Sequence, residues 1–129
     1  MRFLGLDVGT KNIGVAFYDS NVGIIFPRDV VLVKTEEYAV GELKKIIERD
    51  KIDKIVVGLP VNFNSTRSKI QEYVEKFCNK LKNAVNVEIE FFDERFTTMI
   101  AQTVTSKNVD SISASLILEG YLKSKGYFK

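Results

Sequence analysis

The chain has 129 residues, of which 45% are hydrophobic and 28% are charged, as is typical of a soluble globular domain with a substantial core. It contains no histidine and one cysteine, Cys78, which excludes a structural zinc site, a Ser-His-Asp triad and a Cys-His pair. The formal net charge of +2 permits a nucleic-acid partner without requiring one. Since no apolar run is long enough to span a bilayer and no signal-peptide pattern is present, we predict a single cytoplasmic domain over residues 1–129.

The first predicted elements are two strands, residues 2–8 and 12–18, joined through Gly9-Thr10-Lys11 into a tight hairpin. One acid, Asp7, lies near the end of the first strand between two apolar residues. A carboxylate there loses hydration and needs a compensating partner, and no lysine or arginine stands beside it in the strand. A divalent cation would supply that partner, because carboxylate oxygens are the preferred ligands of Mg²⁺ and Mn²⁺. The alternative is that Asp7 caps the turn through its own side chain.

Predicted strands and helices alternate along the rest of the chain. The strands cover residues 28–34, 54–60 and 87–92. The helices run from the N-cap Thr35 to about Asp50 and over residues 66–82, 97–104 (a short helix) and 109–123. The apolar face of the second helix consists of Ile70, Tyr73, Val74, Phe77, Cys78 and Leu81. Strands linked by hairpins should be antiparallel, and strands reached through helices should be parallel. The predicted fold class is therefore α/β, a mixed five-stranded sheet of three antiparallel and then two parallel strands with helices on both faces.

Acidic residues follow the strand ends, where sites lie in sheets of this kind. Asp7 lies in the first strand, Asp93 and Glu94 end the fifth, and Asp110 opens the last helix. We expect acids from these distant parts of the chain to converge at one edge of the sheet, where their mutual repulsion calls for cations. Two divalent ions held by such a cluster can clamp the attacking and leaving oxygens of a phosphodiester.

Each candidate also has a purely structural interpretation. Glu94 is compatible with a solvated ion pair to Arg95, and Asp110 with a simple N-cap of the last helix. Lys11, Arg67 and Arg95 are candidate phosphate contacts, although lysines and arginines are more often simply solvated. Cys78 on its apolar face is predicted to be a core residue without chemistry.

Four motifs occur in order and span nearly the whole chain. They are Leu4-Gly5-Leu6-Asp7-Val8-Gly9-Thr10-Lys11 with Ile13-Gly14-Val15-Ala16, then Val57-Gly58-Leu59-Pro60, then Asp93-Glu94-Arg95-Phe96-Thr97-Thr98, and last Val109-Asp110-Ser111 with the apolar helix after it. Together they resemble the motifs of the YqgF/RuvX family. The resemblance implies an RNase H-like fold related to the RuvC-type Holliday-junction resolvases and a metal-dependent nuclease activity. The family is described both as pre-16S rRNA nucleases acting in 5′-end maturation and as Holliday-junction resolvases.

The acids expected in that family carry over onto Asp7, Glu94 and Asp110, as catalytic residues and as ligands of two Mg²⁺ or Mn²⁺ ions. The implied partner is nucleic acid, either structured RNA or branched DNA, and not a membrane. The protein would act as a monomer or a homodimer, and a junction resolvase requires the dimer because two sites must face a four-way junction.

Two further functions are compatible with the sequence. The stretch Asp7-Val8-Gly9-Thr10 also resembles the phosphate loop of actin/hexokinase-type nucleotide-binding proteins, which bind ATP between two domains of related fold. A non-catalytic RNA-binding assembly factor would fit the mild charge. It would also fit the short segment between Thr98 and Asp110, which holds only Lys107 as a basic residue where members of the family often have a longer, more basic stretch.

Overall fold

The computed structural model describes residues 1–59, 69–93 and 109–127, with Val109 and Asp110 described by their backbone alone. The strands are β1 (Arg2–Val8), β2 (Asn12–Asp19), β3 (Ile25–Leu32), β4 (Lys54–Leu59) and β5 (Glu88–Asp93), and the helices are α1 (Glu36–Arg49), α2 (Lys69–Ala84) and α3 (Val109–Ser124). The strands form one sheet in the order β3-β2-β1-β4-β5. β1, β2 and β3 pair antiparallel, while β4 pairs parallel with β1 and β5. The predicted mixed five-stranded sheet is therefore confirmed.

Different helices cover the two faces of the sheet. The alternation of side chains along β1 directs Leu4, Leu6 and Val8 into the core formed with α1 and α2. Phe3 lies on the opposite face, in the core formed with α3. Phe3, Leu4 and Leu6 are fully buried, and each such side chain contributes about 1.5–3 kcal/mol relative to an exposed position. β1 is thus the central strand to which both layers of helices are fixed.

The turn between β1 and β2 requires glycine at position 9. The Gly9 N–H donates to the Asn12 carbonyl at 3.0 Å, and a Cβ on Gly9 would lie 2.7 Å from that same oxygen. The Lys11 carbonyl accepts from the Val33 N–H at 2.8 Å, which joins the turn to the chain just after β3. The predicted hairpin is confirmed, with β2 extending one residue further than predicted, to Asp19.

The first helix follows its sequence signals closely. The Thr35 side chain accepts a hydrogen bond from the Tyr38 N–H at 3.0 Å, and Glu36 and Glu37 lie in the first turn, where they suit the helix dipole. The helix ends with Asp50 as its C-cap, as predicted.

Across residues 1–59, 69–93 and 109–127, no helix has the length and apolar character needed to cross a membrane.

The predicted bounds of two elements need correction. β3 covers Ile25–Leu32 instead of residues 28–34. Its earlier start includes Pro27, which pairs with Ala16 and is tolerated because β3 is an edge strand.

Ile70 is 39% exposed, so its assignment to the core is wrong. The buried positions of α2 begin one turn later, at Val74.

Other boundaries differ by one or two residues or fall outside the description. α2 ends at Ala84 instead of Lys82, and β5 is shifted one residue toward the C-terminus. The predicted start of α2 at Thr66, the end of the fourth strand at Pro60 and the short helix over 97–104 lie outside the described residues.

Cys78 lies on the buried face of α2, in the core, as predicted, and is 4% exposed. Burial raises the pKa of its thiol to about 12, so at pH 8 only about one molecule in ten thousand carries the reactive thiolate. We expect the native protein to react with a thiol reagent at pH 8 at least about a hundredfold more slowly than the urea-unfolded chain. Equal rates, measured by absorbance, would contradict this burial.

Candidate active site

The carboxyl ends of β1, β4 and β5 lie at one edge of the sheet because the three strands are parallel. Asp7 is the last residue but one of β1, and Asp93 is the last residue of β5, paired with Leu59 of β4. Adjacent strands are about 4.8 Å apart, so β1 and β5 are about 10 Å apart across β4. Glu94 directly follows Asp93 along the chain and lies outside the described residues.

Glycines flank Asp7 within the sheet. Asp7 pairs with Gly14 of β2 and is half-buried. In β4 the partner of Leu6 is Val57, so the next residue, Gly58, lies at the level of Asp7. Neither neighbouring strand therefore carries a side chain beside the Asp7 carboxylate, which stands on the face of β1 that α3 covers.

α3 crosses this face in the direction opposite to β1. Near the C-terminal end of α3, the ring centre of Tyr121 lies 6.3 Å from the ring centre of Phe3, which is near the start of β1. Further along β1, a Cβ on Gly5 would lie 3.0 Å from both the Ala114 carbonyl oxygen and the Leu118 Cβ. The helix and strand are therefore in close backbone contact at Gly5.

The first turn of α3 directly precedes this contact along the helix. Asp110 precedes Ala114 by one helical turn, about 6 Å along the axis. Asp7 follows Gly5 by two residues, about 6.6 Å along the strand. Asp110 therefore lies in the turn of α3 that precedes the contact at Gly5, on the face of the sheet that carries Asp7.

Sequence reasoning missed Ser111, which lies next to Asp110 and is 2% exposed. Its hydroxyl donates to the backbone carbonyl of Arg28 in β3 at 2.6 Å. The pairing of β2 with β3 shifts register here, since two residues of β3, Asp29 and Val30, oppose the single residue Gly14. Such bulges often occur beside active sites. The available sequence signal was a serine directly after the candidate acid, at the start of the last helix.

The opposite end of the same face carries charges that neutralise one another. Lys54 contacts Glu90 at 2.9 Å and Glu88 at 3.3 Å, and the Tyr121 hydroxyl donates to Glu90 at 3.2 Å. Hydrogen bonding with Tyr121 and Glu90 raises the pKa of Lys54, and bonding with Lys54 lowers the pKa of Glu90. These ionic contacts hold the C-terminal half of α3 against β4 and β5.

The remaining predicted site residues divide into one that is described and two that are not. Lys11 is exposed in the hairpin turn, four residues from Asp7. Arg67 and Arg95 lie outside the described residues. Lys11 is therefore the described cation nearest in the chain to the candidate site.

The available donor set fits a hard divalent cation. Asp7 offers carboxylate oxygens, whereas Cys78 is buried in the core on the other face of the sheet. In the described part of the chain, no three Asp, Glu, Cys or His residues form a group able to hold a metal ion. Of the three predicted ligands, only Asp7 has a described side chain, so the assignment of Glu94 and Asp110 stays a prediction.

Two solved Holliday junction resolvases share this architecture. The resolvase of fowlpox virus aligns with 97% of this chain and 99% of its own, with a TM-score of 0.63 and 14% identity. RuvC of Thermus thermophilus, in complex with a Holliday junction substrate, aligns with 100% of this chain and 98% of its own, with a TM-score of 0.60 and 12% identity. At these identities the likeness shows the fold alone, which is the RuvC-like RNase H fold.

Sequence comparison assigns the chain within that class. Residues 1–124 match the family model of RuvX, described as Holliday junction resolvase. A relative from Clostridium botulinum strain Hall is 38% identical across 96% of this chain and 98% of its own length, and is named "Putative pre-16S rRNA nuclease". The chain belongs to the RuvX family. The resemblance of its four motifs to YqgF/RuvX is therefore confirmed.

Proposed function

We propose that residues 1–129 form one RNase H-like domain that hydrolyses phosphodiester bonds with divalent metal ions, in the 5′-end processing of pre-16S rRNA. The observation that carries this proposal is the position of Asp7. Its carboxylate lies at the edge formed by the carboxyl ends of β1, β4 and β5, flanked by Gly14 and Gly58, on the face of the sheet against which α3 packs. The name of the clostridial relative supports rRNA precursor as the substrate.

Asp7, Glu94 and Asp110 would hold one or two Mg²⁺ or Mn²⁺ ions at this edge. When bound there, the ions would stabilise charge on the attacking and leaving oxygens of the phosphodiester. The protein supplies a rigid frame for these ligands, since β1 is hydrogen-bonded on both sides and α3 is packed against it at Gly5. No histidine exists in the chain to serve as a general base, which is consistent with metal-assisted chemistry.

Substrate contacts would come from basic residues around the same edge. Lys11 is exposed at the tip of the hairpin, and its backbone is fixed by the hydrogen bond to Val33. Arg67 and Arg95 complete the proposed set of phosphate contacts. An rRNA precursor as substrate implies that the protein acts in the cytoplasm.

Resolution of Holliday junctions is the second candidate, favoured by the family description and by the fold of the junction-bound RuvC. The same carboxylate chemistry would serve both reactions. A junction resolvase needs two copies of the site facing one four-way junction, whereas end processing of RNA requires only one. The oligomeric state in solution and the choice of substrate therefore separate these two functions.

The test compares a labelled RNA containing the 5′ precursor region of 16S rRNA with a labelled four-way DNA junction. Each substrate is incubated with the native protein in Mg²⁺, in Mn²⁺ and in EDTA, and the products are separated by electrophoresis. We expect cleavage of the RNA in both metals and none in EDTA. Symmetric nicking of the junction with intact RNA would establish the resolvase instead.

Two results would contradict a metal-dependent nuclease altogether. RNA binding without cleavage of either substrate would indicate the non-catalytic assembly factor. Tight Mg²⁺-dependent binding of ATP without cleavage would indicate the nucleotide-binding function. Both are measured on the same protein preparation by calorimetry.

A further inference from the structure

Ser111 connects the first turn of α3 to β3, two strands away from β1. Its hydroxyl lies 2.6 Å from the Arg28 carbonyl oxygen, and the residue is 2% exposed. The two residues are 83 positions apart in the chain, so this bond is a tertiary contact and not a local helix cap. Ser115, one turn further on, instead donates to the Ser111 carbonyl of its own helix, at 2.9 Å.

The acceptor of this bond is itself held in place. Arg28 pairs with Val15 directly before the bulge of β3, and its guanidinium lies over the Phe17 ring at 4.8 Å from the ring centre. The bulge opposes Gly14, whose partner on the other side is Asp7. A continuous path of backbone pairing therefore leads from Asp7 through β2 to the carbonyl that Ser111 contacts.

Two other contacts of α3 with this face come from later turns of the helix. Ala114 and Leu118 lie against Gly5, and Tyr121 lies against Phe3. The N–H groups in the first turn of a helix have no acceptors within the helix. If α3 were held only by its later turns, this first turn would therefore fray more easily. The bond from Ser111 fixes this turn at the position next to Asp110.

We propose that Ser111 is a positioning residue that holds the backbone of Asp110 at the start of α3, so that the Asp110 carboxylate binds the same divalent ion as Asp7. This proposal rests on the proposed function, since it takes Asp7 and Asp110 as ligands. A ligand must be held within about 0.5 Å of its productive position, and a buried hydrogen bond one residue away supplies that restraint. Loss of a hydrogen bond made to a metal ligand itself commonly weakens metal binding by about tenfold to a hundredfold, and a restraint one residue from the ligand should act at the lower end of that range.

The test measures Mn²⁺ binding by calorimetry and by electron paramagnetic resonance of free Mn²⁺, with no substrate present. The variants are Ser111→Ala and Ser115→Ala, which remove the same hydroxyl from neighbouring turns of one helix. We expect Ser111→Ala to raise the Mn²⁺ dissociation constant about tenfold and Ser115→Ala to change it less than twofold. Circular dichroism verifies that both variants are folded at the temperature of measurement. Ser111→Cys, which is close in volume, replaces Ser111→Ala if the latter does not fold.

Cleavage rates provide a second readout that a purely structural role would not change. For Ser111→Ala, the Mn²⁺ concentration at half-maximal rate should rise about tenfold, while the rate at saturating Mn²⁺ stays within about threefold of the native rate. A lowered melting temperature with unchanged Mn²⁺ affinity would overturn the positioning role. Unchanged Mn²⁺ affinity in Asp110→Asn would instead show that the ligand assignment, and with it this part of the proposed function, is wrong.

Discussion

Asp7→Asn is expected to lower the rate of RNA cleavage at least about a thousandfold, which corresponds to about 4 kcal/mol of lost transition-state stabilisation. The asparagine side chain has almost the same shape but carries no charge, so it cannot compensate the positive charge of a divalent ion. Asp7 is half-buried and its neighbours in the sheet, Gly14 and Gly58, have no side chains that would need to repack. We therefore expect the fold to be retained.

The matched control is Glu48→Gln, which removes the same charge from an exposed position on α1, on the other side of the sheet. Initial rates of RNA cleavage at saturating Mg²⁺ are compared for the native protein and the two variants. Circular dichroism and the melting temperature show whether each variant is folded. Native activity in folded Asp7→Asn would remove this carboxylate from the mechanism, and an equal loss in Glu48→Gln would point to a general electrostatic effect.

Local signals predicted the elements that local chemistry determines. The cap formed by Thr35 and the close turn at Gly9 depend on residues at most three positions apart, and both are found as the sequence indicates. The parallel order of the later strands follows from their helical connections. These features predict Asp7 near the carboxyl end of β1, where the structure has it.

The buried side of α3 could not be predicted in the same way. The helix is apolar around most of its circumference, so periodicity does not single out one stripe. Ile112 and Leu116 are only half-buried, whereas Ala114 and Leu118 are fully buried. Their burial is determined by Gly5 on β1, which allows the helix backbone to approach the strand.

The contact of Ser111 also depends on tertiary structure. Its acceptor lies beside a bulge in β3, and β3 itself was predicted to start three residues too late, at Arg28, because the prediction followed the apolar run that comes after it. Only the order of strands shows that β3 is an edge strand. The frame that surrounds the candidate acids is therefore a product of the sheet topology and not of any single motif.

Gly5→Ala is expected to destabilise the protein and to reduce cleavage in the molecules that remain folded. The new Cβ would lie 3.0 Å from the Ala114 carbonyl oxygen, a backbone atom that cannot rotate away, so α3 must shift from β1. Overpacking of this kind costs about 1–3 kcal/mol, and the reduced freedom of the unfolded chain returns up to about 1 kcal/mol. We expect a net loss of about 1–2 kcal/mol and a decrease in cleavage of about tenfold, because the shift moves the first turn of α3 relative to Asp7.

Gly41→Ala is the control with the opposite expected sign. Gly41 lies within α1, and a Cβ there would meet no atom within 4 Å, so alanine should stabilise the helix by about 0.5–1 kcal/mol without changing cleavage. Urea unfolding gives both free energies, and cleavage is measured where each variant is fully folded. If Gly5→Ala loses stability but cleaves RNA at the native rate, the close approach of α3 to β1 serves stability alone. If the stability of Gly5→Ala rises as in Gly41→Ala, α3 can move away from β1 without loss of stability. The contact at Gly5 then does not determine the position of α3 on the sheet.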